Sequence, residues 1–399
     1  MSPISRVGVL GAGTMGAGIA QVAAEAGLEV RLHDPVDGTV NRARERIGGF
    51  LRRKVEKGQR TEAERAIAVG RIGPSSSLEE LASADIVIEA IPEDLDLKRD
   101  AFRRLDAAAG TSTVLATNTS SLPVARIASA VTHPERVIGM HFFNPVPLMR
   151  LVEVIPGPMT TTDVTDTVAA LARRLGKTPL VAADLPGFIV NRVQRAYYLE
   201  AYRIAEAGLA GVLAIDDAMR NIGFRLGPFE LADVVGTDVN LAAGQAIHEG
   251  FHHDPRYQPA LIQRRPVDAG RLGRKSGAGF YDYGADGARG AVWGVLRRDA
   301  RVPELEPAQI QARILASIVN EAASAVADEV AASEAIDTAM RLATNWPDGP
   351  LAWGQRLGLP SVVQTLDALH ATEPDGRYRV VPSLRLLADS GGAFLAASG

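Results

Sequence analysis

Short apolar runs alternate with helix-like stretches through the first part of the chain. The runs VGVL (7–10) and EVRLHDP (29–35) flank a stretch of small and apolar residues at 16–27, which is typical of a packed helix. Mostly apolar runs recur at 85–92, 113–118, 136–142, 151–156 and 178–186. Strands of this kind belong to parallel sheets that are covered on both faces. We therefore predict an α/β, Rossmann-like, doubly wound domain over residues 1–184.

The pattern changes after this domain, where long helical stretches replace the apolar runs. We predict that the remaining chain is all-α and has three parts. A helical domain covers residues 185–284, a Gly- and Arg-rich linker covers 285–307, and a second, degenerate helical module covers 308–399.

An internal repeat crosses the predicted linker. An offset of 121 residues carries PGFIVNR, which begins at Pro186, onto PAQIQAR, which begins at Pro307. The same offset carries AIDDAMR (214–220) onto AIDTAMR (335–341), a seven-residue block with one change. Shared helical periodicity produces scattered matches but not such a block at a fixed offset. We therefore predict that the helical module is duplicated.

Composition and charge narrow the function. The net charge of −4 gives no sign of a nucleic-acid or anionic-membrane partner, and no window of about 20 apolar residues lacks charges. No cysteine occurs, which excludes disulfides, thiolate metal sites and a catalytic thiol, and suits a reducing compartment. No charged leader with an apolar core precedes the first predicted strand. We expect a cytoplasmic protein without a membrane span.

The loop GAGTMG carries a G-x-G-x-x-G pattern in the context that a dinucleotide requires. It follows a strand, opens a helix, and is followed 23 residues after Gly11 by Asp34 at the end of the next strand. A pyrophosphate would meet the N–H groups of the helix N-terminus, and the acid would bind the adenine ribose and repel a 2′-phosphate. NAD is therefore favoured over NADP. The predicted cofactor loop comprises Gly11, Ala12, Gly13, Thr14, Met15 and Gly16.

Two charged residues interrupt neighbouring apolar runs. His141 ends RVIGMHF and Glu153 lies inside LVEVIP. If both lie near the carboxyl edge of the sheet, Glu153 can accept a hydrogen bond from one ring nitrogen of His141 and leave the other as a base. A hydroxyl substrate would then lose its proton to His141 and a hydride to the nicotinamide. Either residue alone is more often structural. The seven histidines show no metal-ligand spacing, so we predict no metal.

Several longer motifs resemble the L-3-hydroxyacyl-CoA dehydrogenase family. They are IEAIPEDLDLKRDAF (88–102), ATNTSSLP (116–123), GMHFFNPVPLMRLVEVI (139–155), LPGFIVNRV (185–193) and LGRKSGAGFYDY (272–283). The resemblance covers about residues 4–284. The C-terminal copy resembles the second helical module of longer bacterial members, several of which act on 3-hydroxybutyryl-CoA or 3-hydroxyadipyl-CoA.

The resemblance implies roles for particular residues. His141 would be the general base, Glu153 its partner, and Ser120 and Asn191 would hydrogen-bond the substrate oxygen or the histidine. Lys57, in an arginine-rich helical hairpin, would meet the coenzyme A phosphates. NAD would also contact Asp34, Glu93, Lys98, Ser120, Asn144 and Lys275. Without the family, Ser120 also fits a plain turn and Asn191 a helix N-cap.

Two departures from the family pattern matter. We align Phe50 with a serine that contacts coenzyme A in the family, which leaves room for a carrier-protein thioester. In the second copy Asn191 corresponds to Ala312, and no dinucleotide domain precedes it. We therefore interpret the second module as a structural partner that packs on the first within one chain and imitates a dimer interface.

The sequence thus predicts an NAD-dependent oxidoreductase that reversibly converts L-3-hydroxyacyl-CoA to 3-ketoacyl-CoA, as in fatty acid metabolism and β-oxidation. It would work as a homodimer or as an intramolecular pseudo-dimer. One alternative is a sister dehydrogenase for 3-hydroxyadipyl-CoA or a carrier-bound hydroxyacyl group; Arg150 and Arg225 are the nearest basic candidates for a dicarboxylate. The other is a non-catalytic NAD-binding structural protein, since fold alone does not fix function.

Overall fold

The computed structural model describes residues 4–296 and 304–396. By its contacts the chain divides into two compact units, residues 1–188 and 189–399. Part of the predicted linker, residues 297–303, lies outside the described residues. None of the helices in the described ranges is both long enough and apolar enough to cross a membrane.

The first unit alternates strands and helices. In chain order its elements are β1 Arg6–Leu10, α1 Thr14–Glu25, β2 Glu29–His33, α2 Thr39–Glu56, α3 Glu62–Gly70, β3 Ile72–Pro74, α4 Leu78–Leu81, β4 Ile86–Glu89, α5 Leu95–Ala108, β5 Val114–Thr117, α6 Val124–Ala128, β6 Val137–Phe142, β7 Leu151–Pro156, α7 Thr162–Arg174 and β8 Thr178–Val181. The predicted doubly wound α/β fold is confirmed.

One eight-stranded sheet organises this unit. Its order is β3-β2-β1-β4-β5-β6-β7-β8, and the strand order reverses beside β1, as in Rossmann-like domains. All neighbours are parallel except β6 and β7, which are antiparallel. The central strands β4 and β5 are buried along their whole length, which explains why their sequences are apolar runs.

The second unit is almost entirely helical. Its elements are α8 Val190–Glu206, α9 Val212–Arg220, α10 Pro228–Val235, α11 Thr237–Gly250, α12 Leu261–Asp268, β9 Tyr281–Tyr283, β10 Arg289–Val292, α13 Pro307–Ala327, α14 Ser333–Thr344, α15 Pro350–Leu357, α16 Leu359–Thr372 and α17 Pro382–Ser390. The antiparallel pair β9–β10 is the exception, and β10 lies inside the segment that the sequence predicted as a linker.

The duplication is visible in the order of the helices. Helices α8 to α12 form a first module, and α13 to α17 form a second module with the same succession of elements. The long first helices of the two modules, α8 and α13, pack against each other. The second module therefore covers a helix face of the first within one chain, and the predicted duplicated all-α part is confirmed.

Candidate active site

The glycine-rich loop joins β1 to α1, and its three glycines have different surroundings. Gly11 has a φ of 99°, and a Cβ there would lie 2.6 Å from Ala90 O. A Cβ at Gly16 would lie 1.8 Å from Gly11 O, whereas a Cβ at Gly13 would meet no atom within 4 Å. The loop thus needs glycine for its turn and its packing at two positions and opens outward at the third, as a cradle for a pyrophosphate does.

Asp34 follows β2 directly and turns toward this loop. Its Oδ2 accepts a hydrogen bond from Ala12 N at 2.8 Å, and its Oδ1 accepts one from Val36 N at 3.0 Å. These bonds hold the carboxylate beside the loop. The predicted cofactor residues of β1, α1 and β2 therefore come together, and the donor set fits the adenosine diphosphate part of NAD.

His141 and Glu153 form a buried pair. They are direct cross-strand partners in the β6–β7 register, and His141 Nδ1 lies 2.6 Å from Glu153 Oε2. Their contact was predicted on the condition that both lie near the carboxyl edge of the sheet; instead, β7 runs antiparallel to β6 and Glu153 lies in mid-strand. Neighbours on adjacent antiparallel strands have their Cβ atoms within about 5.5 Å, which brings the two side chains into contact. Only 6% of His141 is exposed, and Glu153 is fully buried.

Aromatic rings of the same unit surround the histidine. The imidazole lies 4.5 Å from the ring of Phe143 and 5.9 Å from that of Phe188, centroid to centroid. This apolar environment limits the water around the His141–Glu153 pair. The hydrogen bond between the imidazole of His141 and the carboxylate of Glu153 is therefore stronger than it would be at the surface.

Ser120 lies in a loop that one carboxylate organises. Glu93 Oε1 accepts hydrogen bonds of 2.7 to 3.2 Å from five donors in that loop, which are Thr119 Oγ1 and the amide and hydroxyl groups of Ser120 and Ser121. Burial alone would raise the pKa of Glu93, but the charge of Lys98 and these donors hold that pKa below its ordinary value. Glu93 therefore stays ionised and fixes the position of Ser120.

Lys98 is buried beneath this loop rather than exposed at its surface. Its Nζ lies 2.6 Å from Glu89 Oε1 and 3.2 Å from Glu93 Oε2, and only 1% of the side chain is exposed. Burial raises the pKa of Glu89 despite the neighbouring ammonium. Lys98 therefore acts on the site through Glu93. Glu89 was not among the residues predicted from the sequence, although this acid ends the apolar run IVIE as Asp34 and His141 end theirs.

The loop after β6 carries Asn144, which precedes Pro145. Lys177 supports this loop, since its Nζ donates to Val146 O at 2.5 Å and to Met149 O at 2.7 Å. Burial lowers the pKa of Lys177 to about 8. No role for Lys177 was predicted from the sequence, in which the one signal is that it is among only five lysines in 43 basic residues.

The remaining predicted residues lie elsewhere. Lys57 caps the C-terminus of α2 and is exposed, as is Phe50, whose ring lies 4.5 Å from the guanidinium of Arg53. Asn191 is the second residue of α8 in the second unit. Lys275, in the same unit, pairs with Asp238 at 2.6 Å.

The two dicarboxylate candidates, Arg150 and Arg225, are both exposed. The part of the chain that the structure describes contains no group of three or more metal-ligating side chains that could hold an ion.

A dinucleotide cradle and a buried His–Glu pair on one doubly wound sheet define a class, the nicotinamide-dependent oxidoreductases that use a histidine base. Comparison with known families agrees. The model for the 3-hydroxyacyl-CoA dehydrogenase NAD binding domain matches residues 6–185, and that for the C-terminal domain matches residues 187–283 and 310–394. The chain belongs to the 3-hydroxyacyl-CoA dehydrogenase family, and its reaction is the NAD-dependent oxidation of a 3-hydroxyacyl-CoA.

Individual relatives cover the chain to different extents. It is 35% identical to 3-hydroxyadipyl-CoA dehydrogenase of Escherichia coli K12, over 96% of this chain and 98% of that protein. It is 45% identical to a probable 3-hydroxybutyryl-CoA dehydrogenase of Bacillus subtilis, over 70% of this chain and 98% of that protein. The crystal structure of an Escherichia coli 3-hydroxybutyryl-CoA dehydrogenase has a TM-score of 0.88 at 34% identity and covers 98% of this chain and 100% of its own.

Proposed function

We propose that the chain oxidises L-3-hydroxyacyl-CoA with His141 as general base and Glu153 as its orienting partner. The observation that supports this most strongly is the buried 2.6 Å contact between His141 Nδ1 and Glu153 Oε2. An ionised carboxylate only accepts hydrogen bonds, so Nδ1 donates and Nε2 keeps its lone pair. The pair therefore selects the tautomer that can take a proton from a hydroxyl group.

The protein's own contribution is to move one proton and to hold the groups around it. His141 Nε2 accepts the proton of the substrate's 3-hydroxyl group, and Glu153 stabilises the imidazolium that forms. Ser120, held by Glu93, and Asn191 hydrogen-bond the substrate oxygen. NAD, when bound, supplies the hydride acceptor. In the reverse direction the imidazolium returns the proton to the 3-keto oxygen.

The cofactor residues of this proposal that belong to the first unit fit its geometry. The open face at Gly13 and the carboxylate of Asp34 suit the diphosphate and the adenine ribose. Glu93 and Lys98 form an ion pair in which Lys98 is buried behind Glu93. Asn144 and Lys275 complete the proposed NAD contacts, and Lys57 meets the phosphates of coenzyme A.

The lengths of the relatives restrict the candidates for the acyl group of the substrate. A 3-hydroxyadipyl-CoA dehydrogenase matches both helical modules, whereas the 3-hydroxybutyryl-CoA dehydrogenase of Bacillus subtilis matches 70% of the chain. This observation favours 3-hydroxyadipyl-CoA as a second candidate beside short, straight-chain esters. The Escherichia coli structure that spans both modules carries the 3-hydroxybutyryl name, so both esters belong in the test.

The test is NADH oxidation at 340 nm with acetoacetyl-CoA, longer straight-chain 3-ketoacyl-CoA esters, 3-ketoadipyl-CoA and a carrier-protein 3-ketoacyl thioester. We expect at least one CoA ester to react, and His141→Ala to lower kcat by about 10²- to 10⁴-fold, which is the usual contribution of a general base. The matched control is His133→Ala. His133 also pairs with a glutamate, Glu135 at 3.2 Å, but both side chains are about half exposed.

Two results would contradict the proposal. Equal losses in His141→Ala and His133→Ala would remove the special role of the buried pair. NADH binding without reduction of any thioester would instead favour a non-catalytic NAD-binding protein. A preference for the carrier-protein thioester would move the substrate away from coenzyme A.

We further infer that the second helical module replaces a second copy of the chain. Arg192 Nε donates to Glu321 Oε1 at 2.7 Å, and Arg313 Nε donates to Glu200 Oε1 at 2.7 Å. The offset of 121 relates Arg192 to Arg313 and Glu200 to Glu321. Such an exchange of equivalent contacts is what a two-fold dimer interface produces. An intramolecular pseudo-dimer is therefore favoured over a homodimer.

Sedimentation equilibrium of the full chain tests this inference. A mass of 42.2 kDa over a wide concentration range is expected, because the interface is filled within the chain. A stable particle of twice that mass would show that another face makes a homodimer. We also propose a cytoplasmic location, supported by the absence of cysteine, and the four-part division at residues 184, 284 and 307.

A further inference from the structure

One arginine outside the glycine-rich loop reaches that loop. Arg46 lies on the exposed side of α2, and its Nη2 donates to Ala12 O at 3.1 Å and to Gly13 O at 3.4 Å. The loop sequence GAGTMG itself contains no charged residue. Among the described residues, Arg46 is the one cationic side chain that hydrogen-bonds the segment 11–16.

The backbone of the loop already presents positive partial charge. Ala12 N is occupied by Asp34, and Gly11 N by His33 O. The first N–H groups of α1, beginning at Thr14, have no intrahelical acceptor, as at every helix N-terminus, and the N-cap Gly13 has no side chain to accept from them. This end of the helix therefore favours an anion.

The position of Arg46 is unusual for a cation, although the carboxylate of Asp34 lies beside the same loop. A guanidinium beside a helix N-terminus repels the positive end of the helix dipole, and cations are normally stabilising at the opposite end. Gly13 O is also already the acceptor for Ala17 N at 3.0 Å, so the longer bond from Arg46 adds little to the loop. Bracing alone is thus a poor explanation for this side chain.

A bound diphosphate removes the conflict. The two carbonyl contacts use Nη2 alone, and the described residues offer Nε and Nη1 no protein acceptor. A guanidinium has five N–H donors in a planar fork that matches two phosphate oxygens. We propose that Arg46 is an additional cofactor-binding residue, which contacts the diphosphate of NAD from α2 while the N-terminus of α1 contacts it from the other side.

The proposal rests on NAD dependence but not on the thioester or on His141, so binding tests it independently of turnover. We would measure NADH affinity by fluorescence, and the affinities of ADP-ribose, AMP and adenosine by competition with NADH. The variants are Arg46→Ala, Arg46→Lys and, as matched control, Arg52→Ala. Arg52 is exposed on the same helix and makes no hydrogen bond to the loop.

The expected losses of affinity increase with the number of phosphate groups in the ligand. Arg46→Ala weakens NADH and ADP-ribose by about tenfold or more, since a charge-assisted bidentate contact is lost, weakens AMP less, and leaves adenosine unchanged. Arg46→Lys keeps the charge without the fork and falls between. Arg52→Ala changes none of the four affinities.

Other patterns would overturn the proposal. Equal losses for all four ligands, with a lower melting temperature, would show that Arg46 only braces the loop. Loss of adenosine binding as large as that of ADP-ribose would place the guanidinium on the adenine. Unchanged affinities would leave Arg46 outside the cofactor site, and failure of NADH to bind to the parent enzyme would contradict NAD dependence itself.

Discussion

The two helical modules keep the same contacts where they face each other. Tyr257 OH donates to Glu321 at 2.7 Å, and Tyr378 OH, which lies 121 residues later, donates to Glu200 at 2.9 Å. Each glutamate thus accepts hydrogen bonds from an arginine and a tyrosine of the other module, and equivalent residues are exchanged. The surface between the modules has been retained in both copies.

An internal cap is also common to both modules. Asp216 accepts hydrogen bonds from Phe229 N and Glu230 N, and Asp337 accepts from Leu351 N and Ala352 N. Each carboxylate thereby satisfies two amide groups in the first turn of a following helix. A Cβ on the glycine before either helix would collide with the aspartate, so the close approach has been kept too.

The modules differ at the residue that we propose as a hydrogen-bond donor to the substrate oxygen. Asn191, near the start of α8, corresponds to Ala312 near the start of α13. The first module also ends in β9 and β10, and its Asp233 accepts hydrogen bonds from Phe280 N and Tyr281 N. After one inserted residue the offset becomes 122, so GPFELADVVG (227–236) aligns with GPLAWGQRLG (349–358) and the counterpart of Asp233 is Gln355. Gln355 bonds to Leu395 instead. The contacts between the modules are therefore shared by both copies, whereas the proposed site residue Asn191 occurs only in the first.

The largest predicted effect is on kcat and should occur for a substitution in the first module but not for its mirror in the second. Asn191→Ala copies the second module into the first and should lower kcat by about 10²-fold or more, because a hydrogen bond to the reacting oxygen is lost. The mirror change, Ala312→Asn, should leave kcat unchanged. Both variants are compared with the parent in the NADH assay.

Stability measurements keep this comparison interpretable. Both variants should unfold within about 1 kcal/mol of the parent, since neither side chain belongs to the ion pairs between α8 and α13. An activity loss in Ala312→Asn as large as that in Asn191→Ala would mean that the second module takes part in catalysis.

A smaller effect, of the same sign in both modules, is expected from the glutamates of the shared surface. Glu200→Gln leaves Arg313 without its carboxylate and should lower the free energy of unfolding by about 3 to 5 kcal/mol. Arg192 keeps a second ion pair with Asp328, so Glu321→Gln should lower the free energy of unfolding by less. Arg192 is fully buried, and 12% of the Arg313 side chain is exposed. Urea unfolding followed by circular dichroism measures both.

The exposed pair Arg356–Asp348 is the control for these variants. Its arginine side chain is 61% exposed, so Arg356→Ala should cost less than about 1 kcal/mol. A large loss in Glu321→Gln without one in Glu200→Gln would break the equivalence of the two modules, because Arg192 keeps Asp328 as a partner. Losses no greater than the control would show that the buried pairs contribute little.

How much could be predicted differs between the fold and the site. Most strands of the first unit could be predicted from the sequence because apolar runs such as IVIE and VLAT are buried on both faces. The short edge strand β3, Ile72–Pro74, was missed because three residues carry no periodicity. The antiparallel direction of β7 was also missed, since alternation and apolarity do not encode strand direction.

Supporting residues of the site were harder to find than those in motifs. The His141–Glu153 pair was suggested by two charges in apolar runs, but their contact depends on the β6–β7 register. Lys177 and Arg46 act on backbone carbonyls of loops that are distant in sequence. Nothing local marks such a contact, because any exposed-looking lysine or arginine can make it once the fold brings the loop close.

The smallest predicted effect concerns the two capping aspartates and pH. Burial raises the pKa of Asp216 to about 7 and raises that of Asp337, against the lowering by their amide donors. Between pH 4 and 7 the folded protein then binds more protons at Asp216 than the unfolded chain, so the contribution of this group to stability falls as pH rises. The raised pKa of Asp337 gives the same sign. Substitution of either aspartate by asparagine removes its contribution to the pH dependence of stability.

We therefore expect the stability difference between the parent and Asp216→Asn to be larger at pH 5 than at pH 7, by about 1 to 2 kcal/mol, since one pKa unit corresponds to about 1.4 kcal/mol. Asp337→Asn should show the same sign. Urea unfolding at the two pH values measures both differences, in which other titrating groups cancel. A difference that grows toward pH 7 would mean that the amide donors outweigh burial. If the sign of the pH dependence reversed only for Asp216→Asn, the cause would be the hydroxyl of Tyr281. This group belongs to the first module and donates to Asp216 at 2.8 Å.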